Sequence, residues 1–384
     1  MQQKTIIILG GGSGGLVAAH KLKGKLGKRT RVILIDKNET HTYAPSFLYV
    51  MLGKRRAANI QRPLSSLRSK GIEFINEEVV NIDPGAKTVK TKSQNLQYDY
   101  LVVSLGAELV PEKIPGLAQG GYNLYELGGV ERLRDRLPSF PGGRVAIVIS
   151  SLPFKCPAAP YEAAFLLDEY FQKTGIRNKT EISIFTPEAL PMPATGPENG
   201  KIVRRMLDAR NIQFNPEVQL ASVDPSKREI VFDENKTESF DLLVYVPPHQ
   251  GPRVMKDSRI GNEIGWIPVD KRTLKTKYEN VFAIGDIAAI ALVSGKPLPK
   301  AGVFAHFEAE VVAENIAAEI QGILYRKEYD GRAFCFLELG FGKAGFAGGN
   351  FYDEPVPSVI LRRPGRIWHW GKVLYEKYWL WKWF

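Results

Sequence analysis

Cysteine is almost missing from this 384-residue sequence, which holds only Cys156 and Cys335. Two thiols exclude a disulfide framework and a four-ligand zinc site. They are either buried apolar fillers or a functional pair. Histidine is nearly as scarce, and His41, His249, His306 and His369 show no metal spacing, so none is assigned a role. No apolar run approaches the roughly 20 residues needed to cross a bilayer. No charged segment with a cleavage site precedes the strand beginning at Thr5, so a cleavable signal peptide is not expected. Acids are outnumbered: 52 Lys and Arg face 41 Asp and Glu, a net charge of +11. That excess admits nucleic acid, an anionic membrane surface or acidic small molecules as partners.

The stretch Ile6–Leu16 organises what is there. An apolar run ends in Gly10-x-Gly12-x-x-Gly15, a helical pattern follows, and a second apolar run from Arg31 to Ile35 stops at Asp36. Gly10 allows the tight turn, Gly12 lets backbone approach a pyrophosphate, and Gly15 lets helix and strand pack closely. The helix N-terminus offers free N–H groups to phosphates, and Asp36 can accept a ribose hydroxyl. Ser13, Gly14 and Lys37 fall in the same dinucleotide site. Tyr98–Ala107 reads as a further buried strand ending at Gly106, beside the first two. Lys54, Arg55 and Arg56 read as a solvated face.

The plan repeats from Arg144. Val145–Ser151 is a strand, Tyr161–Lys173 a helix and Glu181–Phe185 a strand. The second copy lacks its binding chemistry. Ser150-Ser-Leu-Pro-Phe-Lys-Cys-Pro-Ala-Ala-Pro160 replaces the glycine triplet, and Phe185-Thr186 stands where an acid should end the strand. Phe240–Pro248 reads as a return to the first domain. Tyr278–Asp286 reads as a buried strand ending in Gly285-Asp286, where the acid can meet a nucleotide hydroxyl. A helix is predicted over 305–321.

Five of the six tryptophans lie between Trp368 and Trp383, with Arg362, Arg363, Arg366, Lys372, Lys377 and Lys382 against one acid, Glu376. Ile367, Trp370, Leu374, Tyr378 and Trp381 recur at helical spacing. A basic amphipathic helix with tryptophan fits the membrane interface; a core-packed or dimer-forming helix is the alternative. No recognition motif accompanies the charge, so nucleic acid is not expected. Cys156 lies in a strand-to-helix loop beside Lys155, where a helix N-terminus lowers a thiol pKa. If the fold brings Cys335 to the same place, the two form a redox disulfide open to a sulfur nucleophile.

Across almost the whole chain the sequence resembles the sulfide:quinone oxidoreductases, within the flavoprotein superfamily built on two dinucleotide domains. The match rests on the glycine triplet with Asp36, Tyr98–Ala107, Lys155-Cys-x-x-Ala-x-Tyr-Glu162, Tyr245-Val-Pro-Pro248, Phe282-Ala-Ile-Gly-Asp286, Lys300-Ala-Gly302 and the Cys335 segment ending at Phe346. The resemblance implies FAD in the first domain, a Cys156/Cys335 redox pair on one face of its ring, sulfide as substrate and a membrane quinone as acceptor. The implied fold is α/β, with two Rossmann-like doubly wound domains and a C-terminal membrane-associating segment. Residues 1–110 and 240–320 form the FAD domain, 111–239 the degenerate NAD-like domain, and 321–384 the C-terminal region. A third cysteine and the histidines common in relatives are absent near Leu124 and between Pro187 and Pro197. Glu162, six residues after Cys156, is a candidate for the first base, with capping a helix or facing solvent as the alternative. Pro45, Lys300, Gly302, Phe304, Phe341 and Phe346 are expected flavin or quinone contacts.

The expected protein is thus a peripheral membrane enzyme, on an unassigned side of the membrane, with a homo-oligomer allowed. The rival expectations are a type II NADH:quinone oxidoreductase, a flavocytochrome c sulfide dehydrogenase-like subunit, and a redox-silent flavin-bound interaction protein.

Overall fold

The computed structural model describes residues 3–384. The first unit contains β1 (Lys4–Leu9), α1 (Ser13–Leu26), β2 (Thr30–Ile35), β3 (Glu73–Ile75) and β4 (Tyr100–Val103). The second contains β5 (Tyr122–Asn123), β6 (Gly143–Ile149), α2 (Ala159–Lys173), β7 (Thr180–Phe185), β8 (Ile212–Asn215) and β9 (Leu242–Val246). The chain then supplies β10 (Val281–Ala283) and α3 (Gly302–Gln321). A C-terminal part follows, with β11 (Arg332–Glu338), β12 (Ala344–Asn350), β13 (Ser358–Gly365) and α4 (Arg366–Lys382).

The two main sheets share one plan. The first runs β10-β4-β1-β2-β3 and the second β5-β9-β6-β7-β8, and every pairing in both is parallel. Parallel strands covered on both faces need continuous apolar runs. Ile6, Ile7, Ile8 and Leu9 accordingly have no exposure at all. The architecture is α/β with two Rossmann-like units, and the strand order in each reverses at its central strand, where such sheets bind ligands.

One boundary differs from the expectation. Phe240–Pro248 does not return to the first unit: β9 pairs with β6 from Val145↔Leu242 to Ile149↔Val246, inside the second sheet. The reason is partner choice. An apolar strand reads the same in either sheet, and only the register with β5 and β6 decides. The chain re-enters the first sheet at β10, whose Val281 pairs with Leu101.

The C-terminal antiparallel sheet β11-β12-β13 packs through β11 against α2 of the second unit and against α3. Helix α4 has two faces. Trp379, Leu380 and Trp383 are buried, while Ile367, Trp370, Leu374, Tyr378 and Trp381 are exposed, up to 74% for Trp381. The core-packed and interfacial readings of the tail thus describe opposite sides of one helix. No helix among the described residues is long and apolar enough to cross a membrane.

Candidate active site

The glycine loop is shaped by sterics. A Cβ on Gly15 would stand 1.9 Å from the Gly10 carbonyl oxygen. Gly10 has φ +96°, and a Cβ there would meet the Ser104 oxygen at 2.4 Å. Gly12, by contrast, faces open space, and a Cβ added there would find no atom within 4 Å. It precedes the first turn of α1, which has no side-chain cap and no acid. Uncapped first-turn amides beside an open glycine suit a pyrophosphate. Asp36 Oδ2 accepts the Gly11 N–H at 2.6 Å, and Oδ1 accepts the Asn38 amide at 2.8 Å. The carboxylate therefore braces the loop and keeps lone pairs for a hydroxyl.

The other expected contacts scatter. Lys37 and Pro45 are exposed, and Gly106, at φ +70°, turns the chain after β4. Gly302 opens α3 and packs on Ser13, where a Cβ would be 3.0 Å from the hydroxyl. Gly285 gives its N–H to the buried Glu308 at 2.6 Å. The Asp286 carboxyl is raised by burial against the pull of Lys155 and Lys300. The Lys300 amine is buried, donates to the carbonyls of Asp286 and Ala288, and sits 4.0 Å above the Trp266 ring. It is a strut in the cavity wall more than a free cation. Phe341 lies away from the cavity, with Arg210 stacked on its ring. A positive φ of 53° in the β11–β12 turn directs it outward.

Cys156 and Cys335 line the same cavity of about 480 Å³, with Phe154, Glu188, Phe304 and Phe334. Both are free thiols. Cys156 is held at φ 48° by its own amide, which donates to the Lys300 carbonyl at 2.6 Å. Its carbonyl accepts from the Ala159 N–H at 3.0 Å and from the Tyr125 hydroxyl at 3.0 Å. Its thiol is not activated in the way the helix terminus and Lys155 suggest. Apolar walls desolvate the thiolate, the Glu162 carboxylate opposes it, and the thiol is pushed up. Cys335, although an exposed residue, is raised in the same direction by desolvation and by Glu162. Lys372 is the cation that counters this at both sulfurs.

Glu162 neither caps a helix nor meets solvent. It is buried, and its Oε1 accepts from Lys372 Nζ at 2.7 Å and from the Glu338 N–H at 2.7 Å. The pair joins α2 to β11 and α4. Sequence spacing places Glu162 near Cys156 but cannot show a lysine 210 residues away.

The carboxyl that does line the cavity is Glu188, which no sequence motif marks. It lies just past the end of β7, three residues beyond Phe185, and is turned inward, so it does not serve as a ribose acid. The Tyr161 hydroxyl and the Thr186 hydroxyl, the latter at 3.3 Å, donate to its Oε2. Burial pushes it up to about 7. Tyr125 carries no motif either; its ring meets that of His249 edge-on at 5.4 Å.

Helix α4 is tied to this site by charges and to the glycine loop by one histidine. Lys54 and Arg56 are exposed as expected, but Arg55 turns inward. Arg55 Nε and the Ser46 hydroxyl bind the buried Glu376 at 2.9 and 2.5 Å, and Lys54 reaches buried Glu169 at 3.4 Å. Buried carboxylates need such partners. Tyr49 and His369 both meet Glu338, at 2.7 and 3.0 Å. His41 Nδ1 donates to the Gly11 carbonyl at 2.9 Å, and the Trp379 indole donates to His41 Nε2 at 3.2 Å. Phe346 stacks on Trp368 at 4.8 Å.

Residues 4–309 match the family described as pyridine nucleotide-disulphide oxidoreductase. The mitochondrial sulfide:quinone oxidoreductase of Mus musculus is 28% identical over 367 residues, covering 92% of this chain and 79% of its own. The crystal structure of the sulfide:quinone oxidoreductase of Aquifex aeolicus superimposes with a TM-score of 0.90 at 27% identity, over 99% of this chain and 91% of that one. A type II NADH:quinone oxidoreductase of Staphylococcus saprophyticus is 24% identical over 336 residues, 83% of each chain.

Proposed function

We infer the function from one premise: the chain belongs to the pyridine nucleotide-disulphide oxidoreductase family. Within it, the protein is a sulfide:quinone oxidoreductase. It oxidises sulfide to sulfane sulfur through Cys156 and Cys335 and passes the electrons to a membrane quinone. The observation that carries this reading is the meeting of the only two cysteines in one apolar cavity. The likeness to sulfide:quinone oxidoreductases over most of the chain supports it.

The glycine loop fits the pyrophosphate of FAD, with Gly12 open and the α1 amides free, and Asp36, which accepts the Gly11 N–H, would hold its ribose. When bound, FAD supplies two-electron chemistry between the thiols and the quinone. The protein does the rest. Lys300 and Tyr125 fix the Cys156 backbone, and with it the point from which the thiol enters the cavity. Phe154, Phe304 and Phe334 keep the cavity walls apolar. Lys372 supplies the positive charge that favours a thiolate at either sulfur. The exposed face of α4, flanked by Arg366, Lys377 and Lys382, docks on an anionic membrane surface, where tryptophan prefers the headgroup level.

The rival is NADH oxidation, which the staphylococcal likeness brings forward. In the second unit Leu152, Phe154 and Pro157 stand where a glycine loop would admit pyrophosphate. Anaerobic titration of the purified protein, first with sulfide and then with NADH, tests the two. Sulfide is expected to bleach the flavin band and NADH to leave it. The reverse result overturns the proposal.

A further inference from the structure

We propose that Glu188 is the general base of the sulfur cavity, the group that takes the proton of incoming sulfide. The inference rests on the sulfide-oxidising reading of the same cavity. Glu188 lines it together with both thiols. Glu162, the other carboxyl near the sulfurs, is engaged by Lys372 and the Glu338 amide. No histidine of the described residues lines the cavity.

The surroundings of Glu188 suit a group that changes protonation. From α2 the Tyr161 hydroxyl donates to Oε2, and from its own loop the Thr186 hydroxyl does so at 3.3 Å. The Lys296 charge acts from the loop before α3 and favours the carboxylate. The Tyr125 hydroxyl belongs to the same set: burial first, then the Cys156 and Glu188 charges, raise its pKa. Burial opposes the carboxylate and outweighs the donors, so both forms are present near pH 7. A base poised near the working pH is the effective one.

An apolar cavity admits neutral hydrogen sulfide more readily than the hydrosulfide anion. Hydrogen sulfide gives its proton to the Glu188 carboxylate. The hydrosulfide left behind attacks one sulfur of the oxidised Cys156–Cys335 pair. A new S–S bond forms, the bond between the two cysteines breaks, and its electron pair stays on the other sulfur as thiolate. A second hydrosulfide carries off the outer sulfur as hydrogen disulfide, and the two electrons released when the cysteine thiolates re-form their bond pass to the quinone.

The test compares the flavin-loaded parent with Glu188→Gln and Tyr161→Phe, mixed anaerobically with sulfide between pH 5.5 and 8.5 at a constant concentration of the neutral dissolved gas. The parent rate is expected to rise through about pH 7. Glu188→Gln should be slower at pH 7 by on the order of 100-fold. Tyr161→Phe removes a donor to the carboxylate and should move the midpoint upward. An infrared titration provides a readout apart from turnover. A carboxylic acid band present in the parent and absent from Glu188→Gln should fade as pH rises through about 7. If the parent flavin is not reduced by sulfide at all, the sulfide reading falls, and this inference with it. If the parent is reduced and Glu188→Gln keeps its rate and profile, only the role of Glu188 is overturned. Should Glu188→Gln fail to fold, an unmoved midpoint in Tyr161→Phe overturns it equally.

Discussion

Lys372 and Glu162, 210 residues apart, meet at 2.7 Å in the interior, where they are 9% and 3% exposed. The lysine pKa is depressed by burial but raised further by Glu162 and Glu338, to about 12. A raised folded pKa means its contribution is complete below the unfolded value, about 10.4, and is lost only as pH climbs through about 12. Across the neutral range the pair is intact. Lys372→Met leaves a buried carboxylate without its cation and should cost about 3–5 kcal/mol. Urea denaturation at pH 7.5 measures it, and a loss below about 1 kcal/mol would show that the site tolerates an unpaired charge.

The same lysine governs thiol reactivity. The Cys335 thiol is raised above its ordinary value by desolvation and by Glu162, so it holds less thiolate at neutral pH than a free thiol. Alkylation of the reduced, flavin-free protein by iodoacetamide, followed by mass spectrometry, should be slow at pH 7.5 and quicken tenfold per pH unit. Lys372→Met should slow it further, and alkylation as fast as that of free cysteine would contradict the assigned environment.

The glycine loop separates folding from binding. Gly15→Ala forces a Cβ onto the Gly10 oxygen and should prevent soluble expression or strongly lower the melting temperature. Gly12→Ala meets nothing in the protein itself. It should keep the parent melting temperature of the flavin-free chain and lose most of its flavin. Flavin absorbance per protein and differential scanning fluorimetry distinguish the two.

Membrane docking should depend on the outer side of α4 alone. Trp370→Ala with Trp381→Ala removes two rings that are 61% and 74% exposed. Binding to anionic vesicles is expected to fall at least tenfold, with no change in melting temperature. Trp379→Ala, which removes a buried ring bonded to His41, should show the opposite pattern. Vesicle sedimentation at low and high salt reads the first effect, and retained binding would sink the docking assignment.

His249 predicts acid sensitivity. Burial first, and then the Lys155 charge, push it down to about 3. Its Nε2 has no partner, and Nδ1 faces the Pro247 carbonyl. Between about 6.5 and 3 the unfolded chain binds the extra proton, so this contribution is complete above about 6.5 and lost as pH falls. Glu188 and Glu308, raised to about 7, act in the other direction and weaken the fold as pH rises through neutrality. The comparison is therefore between parent and His249→Gln. From pH 7.5 to 4.5 the parent should lose roughly 2 kcal/mol more than the variant, read as the shift in urea midpoint.

Local pattern is enough for much of this molecule. The glycine triplet, the paired strand-helix-strand units and the outward-facing residues of α4 follow from spacing alone. Partner choice is not legible. β9 carries an apolar run suited to either sheet, and only its pairing with β6 assigns it. Arg55 looks like any surface arginine until Glu376 is placed beside it. Glu188 and Tyr125 carry no motif; their importance comes from a site assembled by separate stretches of chain. The direction of the Cys156 shift runs against the local signal because the helix terminus is adjacent and visible in sequence, whereas the desolvating walls are distant.

The bond between Trp379 and His41 spans 338 residues. During synthesis, the nucleotide loop leaves the ribosome long before the helix that braces it through this histidine. Until that helix emerges, the Gly11 carbonyl is bound to an imidazole with no indole behind it, and the thiol cavity lacks its cation. The full set of contacts around the loop and the cavity is therefore complete only once residues 366–382 are present. A nascent chain stalled ahead of residue 366 should be digested readily by protease, whatever flavin is supplied.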